Sequence, residues 1–330
     1  MNTDSPQSRY QVVIIGGGMV GASFALALEK SLPATTAAAV LVVEAVTPSK
    51  TITGQPGFDA RSTALSYGSR IILERTGLWS KLAGFAEPIK RIHVSDRGHF
   101  GSTSLDSAQM QVEALGYVLE NQRLGGVFNA ALEQSARIEL LRPAIISSLR
   151  PLADGMEVSL QRGAVQQTIR ADLVVLADGG KSPLCRQLGI GVREEDYRQQ
   201  AIISNIALEN HHDNIAYERF TDSGPMAVLP LPQHEGEHRA ALVWTVSAKD
   251  AEELEGLSES QILERLQLRF GYRLGRFAHI GRRYVYPLSL IVAQEQIRPG
   301  LVLLGNVAHT LHPVAGQGFN LALRDAEVLA

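Results

Sequence analysis

The chain of 330 residues is 45% hydrophobic and 20% charged, with a formal net charge of -3 and both signs interspersed; this allows a large buried core and two domains, and leaves no basic stripe for nucleic acid. Its single cysteine, Cys185, excludes an internal disulfide and fits a reducing compartment. Met1–Tyr10 does not read as a signal peptide and no run of about 18 apolar residues is available to cross a membrane, so the composition is that of a cytoplasmic globular enzyme.

The first predicted element is a strand, Val12–Ile15, continuously apolar and β-branched as a strand buried on both faces must be. The turn Gly16–Gly21 follows, then a helix with Phe24, Ala25 and Leu28 at helical spacing, then a second buried strand, Val40–Val43, closed by Glu44. Thr47–Ala60 shifts to Pro, Gly, Ser and Thr and reads as a loop. Helical patterns are expected over Thr63–Leu82 and Asn121–Gln134, the second with Leu124, Val127, Phe128, Ala131 and Leu132 in one apolar stripe. Short strands fill Ile138–Arg170, and another buried strand is expected at Leu173–Ala177. From Ala201 to Val246 the period becomes alternation, the mark of an antiparallel sheet and a second domain, followed by an amphipathic helix at Ser258–Phe270. Leu301–Leu304 returns to buried-strand character. A last helical pattern, Asn320–Leu329, reaches Ala330 without a stop signal, from which a truncated C-terminus is expected.

Gly16-x-Gly18-x-x-Gly21 lies between a strand and a helix, and Glu44 ends the next strand. Glycines there permit the tight turn and let backbone amides approach a pyrophosphate at the helix N-terminus, while the carboxylate accepts bonds from ribose hydroxyls. The pattern points to a dinucleotide and leaves NAD and FAD open.

Two later motifs decide between them by resemblance. Asp178-Gly179-x-x-Ser182 follows one buried strand, and Gly305-Asn306-x-Ala308-His309-x-x-His312-Pro313-x-x-Gly316-Gln317-Gly318-x-Asn320 follows another. In this order after an N-terminal glycine motif they resemble the class A flavoprotein monooxygenases. Phe58–Leu65, His93–His99, Glu218–Thr221 and Phe270–Gly275 are similar to the branch that hydroxylates polyprenyl phenols in ubiquinone biosynthesis, nearest the 2-polyprenyl-6-methoxyphenol hydroxylases. The resemblance implies an α/β fold: a Rossmann-like FAD-binding domain of para-hydroxybenzoate hydroxylase type with an inserted antiparallel-sheet substrate domain. Residues 1–84, 110–185 and 292–330 would form the first and 85–109 and 186–291 the second.

It implies FAD as cofactor, with NAD(P)H as electron donor directly or through a reductase, and oxygen transfer from O2 to the ring through a flavin C4a-hydroperoxide. Cofactor contacts are then expected at Gly16, Gly18, Gly21, Glu44, Arg61, Arg123, Asp178, Gly305, Asn306, Gly316, Gly318 and Asn320. Pro313, Gly316, Gln317 and Gly318 would shape the active face, and Tyr217, Phe220 and Trp244 would cover the substrate. For Arg61 a solvated loop arginine, and for Trp244 a core tryptophan, are the alternatives. Gly316–Gly318 would aim the amides and positive end of the following helix at the flavin, or form a plain helix-entry turn. A polyprenyl phenol calls for an apolar groove, peripheral association with the inner membrane face and a place in a ubiquinone biosynthetic complex.

Two positions depart from the class. Asn306 stands where it has Asp, and Cys185 stands where an arginine commonly follows the Asp-Gly motif, which leaves direct use of NAD(P)H in doubt. His211, His212, His309 and His312 lack metal-ligand spacing, so no metal is expected, and no Gly-x-Ser-x-Gly elbow supports a hydrolase. The rival readings are a flavin dehydrogenase or reductase, a non-catalytic subunit of a biosynthetic complex, and a plain NAD-dependent dehydrogenase.

Overall fold

A computed structural model describes residues 8–33, 40–47 and 61–330. The loop expected over Thr47–Ala60 therefore lies outside the described residues from position 48 onward, as do Phe58, Asp59 and Ala60 of the motif quoted above.

Five strands form the parallel part of the first sheet: Arg9–Ile15, Val40–Val43, Ile138–Leu141, Val165–Leu176 and Leu301–Leu303. Numbered in chain order they lie 3-2-1-4-5, so the order reverses between the first strand and the fourth. Both faces are buried. The helices Met19–Ser31, Asn121–Gln134 and Gln317–Leu329 cover one; the antiparallel strands Ile145–Leu152 and Gly155–Arg162 fold beside the sheet and pack on the other. This is why Val12–Ile15 and Val40–Val43 are apolar without alternation. The strand expected at Leu173–Ala177 is the end of the longer Val165–Leu176 strand, whose first half pairs in the hairpin and whose second half is buried.

A nine-stranded, mainly antiparallel sheet is built on Val192–Leu208, Ile215–Thr221, Gly224–His234, Glu237–Ser247 and Tyr284–Ala293, with Arg91–Asp96 pairing in parallel beside Ile215–Thr221. The helices Ala248–Glu255 and Glu259–Phe270 cover one face. Ser258 caps the second of these in a reciprocal capping box with Gln261, as the Ser-x-x-Gln spacing allows.

The third sheet corrects a sequence expectation. The helix expected from Thr63 starts later: Ser62–Ser66 is a strand paired with Gly116–Glu120, and the helix begins at Tyr67. A tertiary partner outweighs local propensity here. A Cβ at Gly116 would stand 2.4 Å from the Leu65 carbonyl oxygen, so the close pairing needs glycine. The small sheet packs through Ile89, Val118 and Ala64 onto Ala216, Leu231 and Ala241 of the large one.

Among the described residues no helix is long and apolar enough to cross a membrane.

Candidate functional site

The strand-order reversal leaves a crevice at the carboxyl ends of Arg9–Ile15 and Val165–Leu176, the place where sheets of this topology bind ligands. Gly16 sits there at φ +103°, and a Cβ on it would meet the Ala177 carbonyl oxygen at 2.4 Å; only glycine lets the two strand ends approach. Gly21 serves helix packing, since its Cβ would fall 1.9 Å from the Gly16 carbonyl oxygen. Gly18 is different. Its φ of -66° suits any residue, and a Cβ would meet nothing within 4 Å among the described residues. The fold itself does not require glycine at 18, so the open space beside the helix N-terminus fits a group bound against the backbone.

Glu44 leans into the same crevice. The Gly17 N–H donates to its Oε2 (2.7 Å) and the Val46 N–H to its Oε1 (2.8 Å), which fixes the carboxylate and leaves lone pairs for further donors. On the opposite side Asp178 accepts a bond from the Ser182 hydroxyl (2.6 Å), and burial pushes its carboxyl above the ordinary range. A side chain at Gly180 would start 3.7 Å from Thr310 Oγ1 and 4.0 Å from the Asn306 carbonyl oxygen, so the Asp-Gly turn and the segment after Leu303 lie together. Gly305 is tight against Val20, at 2.9 Å for a Cβ, while Asn306 is exposed.

From Gly305 the chain crosses to the large sheet, where His309 and Thr310 pair with Val292 and Ile291, then returns through Pro313 to the last helix. That helix begins at Gln317, not Asn320, and Gly316 caps it in the left-handed region at φ +58°. Gly318 repeats the property of Gly18, with nothing among the described residues within 4 Å of a Cβ.

Asn320, expected at the cofactor, has its side chain engaged within the protein. Its side chain is 5% exposed, its Nδ2 donates to the carbonyls of Ala64 and Gly316 (2.8 Å each), and its Oδ1 accepts from the Ser66 N–H and the Ser69 hydroxyl. Both donors and both acceptor sites are used inside the protein, so Asn320 is a clamp between the small sheet and the last helix. Arg61 is not a free loop arginine. Its Nη1 donates to the Tyr286 hydroxyl (2.9 Å) on the large sheet, and its guanidinium lies 5.9 Å and 5.7 Å from the ring centres of Tyr284 and Tyr286. The Asn121 N–H donates to the Arg61 carbonyl (2.7 Å), which joins it to the helix carrying Arg123; the Arg123 guanidinium stacks on Phe85, 4.7 Å from the ring centre.

Of the three residues expected over the substrate, two lie in the core, Trp244 in agreement with its alternative reading as a core tryptophan. Trp244, 2% exposed, and Tyr217, 9% exposed, belong to the core under the two helices, and Tyr217 packs edge-on against Phe270. Alternation puts Phe220, 40% exposed, on the other face. On that face the register aligns Tyr284, Ile203, Val243, Ala227, Glu218 and Val94 in one row across six strands. All six are half-buried, whereas Ile202, Leu242, Met226 and Tyr217 beside them on the helix side are buried. The row is an apolar strip with Arg61 and its tyrosines at one end and a carboxyl group near the other. Burial alone pushes Glu218 up to about 7. Glu218, Tyr284 and Tyr286 escaped the site reading; the signal for Glu218 was a carboxylate at an alternating position beside Ala216.

The profile of the family described as FAD binding domain matches residues 9–330. The chain is 36% identical to Ubiquinone hydroxylase UbiL of Rhodospirillum rubrum over 99% of its length and 73% of that protein. It is 33% identical to 3-demethoxyubiquinol 3-hydroxylase of Escherichia coli over 97% of its length and 78% of that protein. Among solved structures, p-nitrophenol 4-monooxygenase PnpA of Pseudomonas putida shares the fold at 19% identity, TM-score 0.75, over 98% of this chain and 79% of that one. PqsL of P. aeruginosa, in complex with 2-aminobenzoylacetate, does so at 22% identity, TM-score 0.79, over 97% and 85%.

Proposed function

The chain belongs to the FAD binding domain family, among the ubiquinone hydroxylases, and from that premise we propose that it hydroxylates the aromatic ring of a polyprenyl phenol with O2 as the oxygen source. The observation that carries the reading is the pair Gly18 and Gly318. At both, the described structure leaves open space where a side chain would begin, one at the helix entering from the strand-order reversal and one in the first turn of the helix after Pro313. A dinucleotide laid from the first to the second would explain why both are glycine.

In this reading the amide at Gly18 and the positive helix end hold the pyrophosphate, while Glu44, held by the Gly17 N–H, receives ribose hydroxyls. Asp178 and Gly305–Asn306 flank the polyol chain. Asn306 hydrogen-bonds without adding charge, and Arg123 stands near the phosphates. Pro313, Gly316, Gln317 and Gly318 line the ring, whose neighbouring amides and helix dipole stabilise negative charge. When bound, FAD supplies the activation of dioxygen; the protein binds, orients and keeps water out. Phe220 and the apolar strip lie where an aromatic substrate would rest. The electron donor is NAD(P)H, directly or through a reductase, and a long apolar tail favours peripheral membrane contact or delivery within a biosynthetic complex.

An oxygen electrode tests the reaction. With FAD, a reductant and a prenylated phenol, one O2 should be consumed per hydroxylated ring, and longer tails should be turned over more readily. Phenol oxidation with no oxygen uptake would make the protein a dehydrogenase instead.

A further inference from the structure

Glu218 is a carboxyl group for which the fold offers nothing. Among the described residues it has no hydrogen bond and no ion pair, and its pKa is displaced by burial alone, with no charged neighbour contributing. The residues flanking it on its own face are apolar: Val94 and Ala227 opposite it on the adjoining strands, Ala216 and Phe220 two positions away along its own. The cation next to it in sequence is turned to the other side, where Arg219 Nε donates to the Arg269 carbonyl (3.0 Å) and Nη1 to the Ser95 hydroxyl (3.2 Å). The Arg273 guanidinium contacts His93, whose strand position is opposite Tyr217 on that same helix-covered side. A half-buried carboxyl in such surroundings weakens the protein unless it meets a partner from outside.

Its position says what that partner is. Three strand spacings separate Ile203 from Glu218, about 14 Å. A ring lying on Val243 and Ala227 therefore has an apolar floor, with the small Ala227 side chain leaving room for a substituent to reach the carboxyl. The floor connects to the turn at Gly316. Leu229, on the same face one row over, packs in the cluster that holds Ala64, and Ala64 Cβ is 3.6 Å from where a Gly316 side chain would begin. We propose that Glu218 is the specificity-determining residue for the substrate, selecting a free phenol by accepting a hydrogen bond from its hydroxyl. This rests on the hydroxylase reading above and adds to it the residue that recognises the polar edge of the ring. Above about pH 8 the carboxyl is ionised and acceptor-only, so it rewards a hydroxyl and leaves a methyl ether, which has no proton to give, unrewarded; protonated, it could itself donate to the ether oxygen.

Calorimetric titration of the FAD-loaded protein at about pH 8.5, where Glu218 is ionised, with 2-methoxy-6-prenylphenol and with its O-methyl ether tests this without turnover. Wild-type protein should prefer the phenol. Glu218→Leu, which adds apolar surface to the strip, should lose about 10- to 100-fold in phenol affinity, the range for a hydrogen bond to a charged group, while ether binding changes less than about threefold. Glu218→Gln, nearly isosteric, should lose about tenfold in phenol preference and guards against a folding defect in the leucine variant. A phenol-to-ether ratio unchanged in both variants would overturn the assignment of Glu218 alone; equal loss of both ligands would do the same, by making the residue structural. A wild-type protein that binds neither compound would overturn the hydroxylase reading and this proposal together.

Discussion

At the scale of single residues, buried polar groups divide into those the protein satisfies and those it does not. Asn320 spends all its hydrogen-bonding capacity on Ala64, Gly316, Ser66 and Ser69, so it holds the fold together. Glu218 spends none, and that has a consequence for stability. Its carboxyl is raised from 4.5 to about 7, so between those values the folded chain keeps a proton that the unfolded chain has lost. Stability therefore falls as pH rises through that window, by an amount on the order of 3 kcal/mol once both states are ionised. Glu218→Gln removes the charge and should flatten the slope, leaving the variant more stable than wild type at about pH 8 and little different at about pH 4. Melting temperatures across that range check it, and identical slopes would mean that the carboxylate is solvated after all. The sequence placed Glu218 in a legible motif yet did not single it out. Alternation separates two faces of a strand but does not say which one the helices cover, and for the same reason Tyr217 was expected over the substrate when it fills the core, and Trp244 was left between a substrate and a core reading, of which the core holds.

At the scale of elements, the glycines of the first turn perform three separate tasks that one motif conceals. Gly16 and Gly21 are demanded by neighbouring backbone at 2.4 Å and 1.9 Å, and Gly18 by nothing among the described residues. Gly21→Val should accordingly lower the melting temperature of the FAD-free protein, by a cost of about 3 kcal/mol or more, because backbone has to move. Gly18→Val should leave the FAD-free melting temperature nearly unchanged and weaken FAD binding at least about tenfold. Thermal melts paired with FAD titrations separate the two; FAD binding that survives Gly18→Val would remove the cofactor from this crevice. Much of this element was readable in advance, since a strand buried on both faces, a glycine turn and Glu44 have unambiguous local signatures. Ser62–Ser66 was not, because its strand state depends on Gly116–Glu120, fifty or more residues away. The start of the last helix was misplaced by three residues because Gly316 enters it in a left-handed conformation that only a structure reveals.

At the scale of the whole molecule, function depends on how two sheets with separate cores are brought to one place. Among the connections that do so are the excursion of Gly305–Gly316 to the large sheet and back, the Arg61–Tyr286 hydrogen bond, and the small sheet wedged through Ala64. They set the open ends of the parallel strands beside the half-buried strip of the antiparallel sheet. Sequence periodicity could announce both sheets but not their meeting, which is made by single side chains far apart in the chain. The claim that this junction hydroxylates a phenol is tested most directly by turnover under 18O2 with a prenylated phenol, FAD and a reductant, followed by mass spectrometry of the ring product. The account predicts one 18O atom in the new hydroxyl group. A hydroxylated product whose new oxygen comes from water would contradict it.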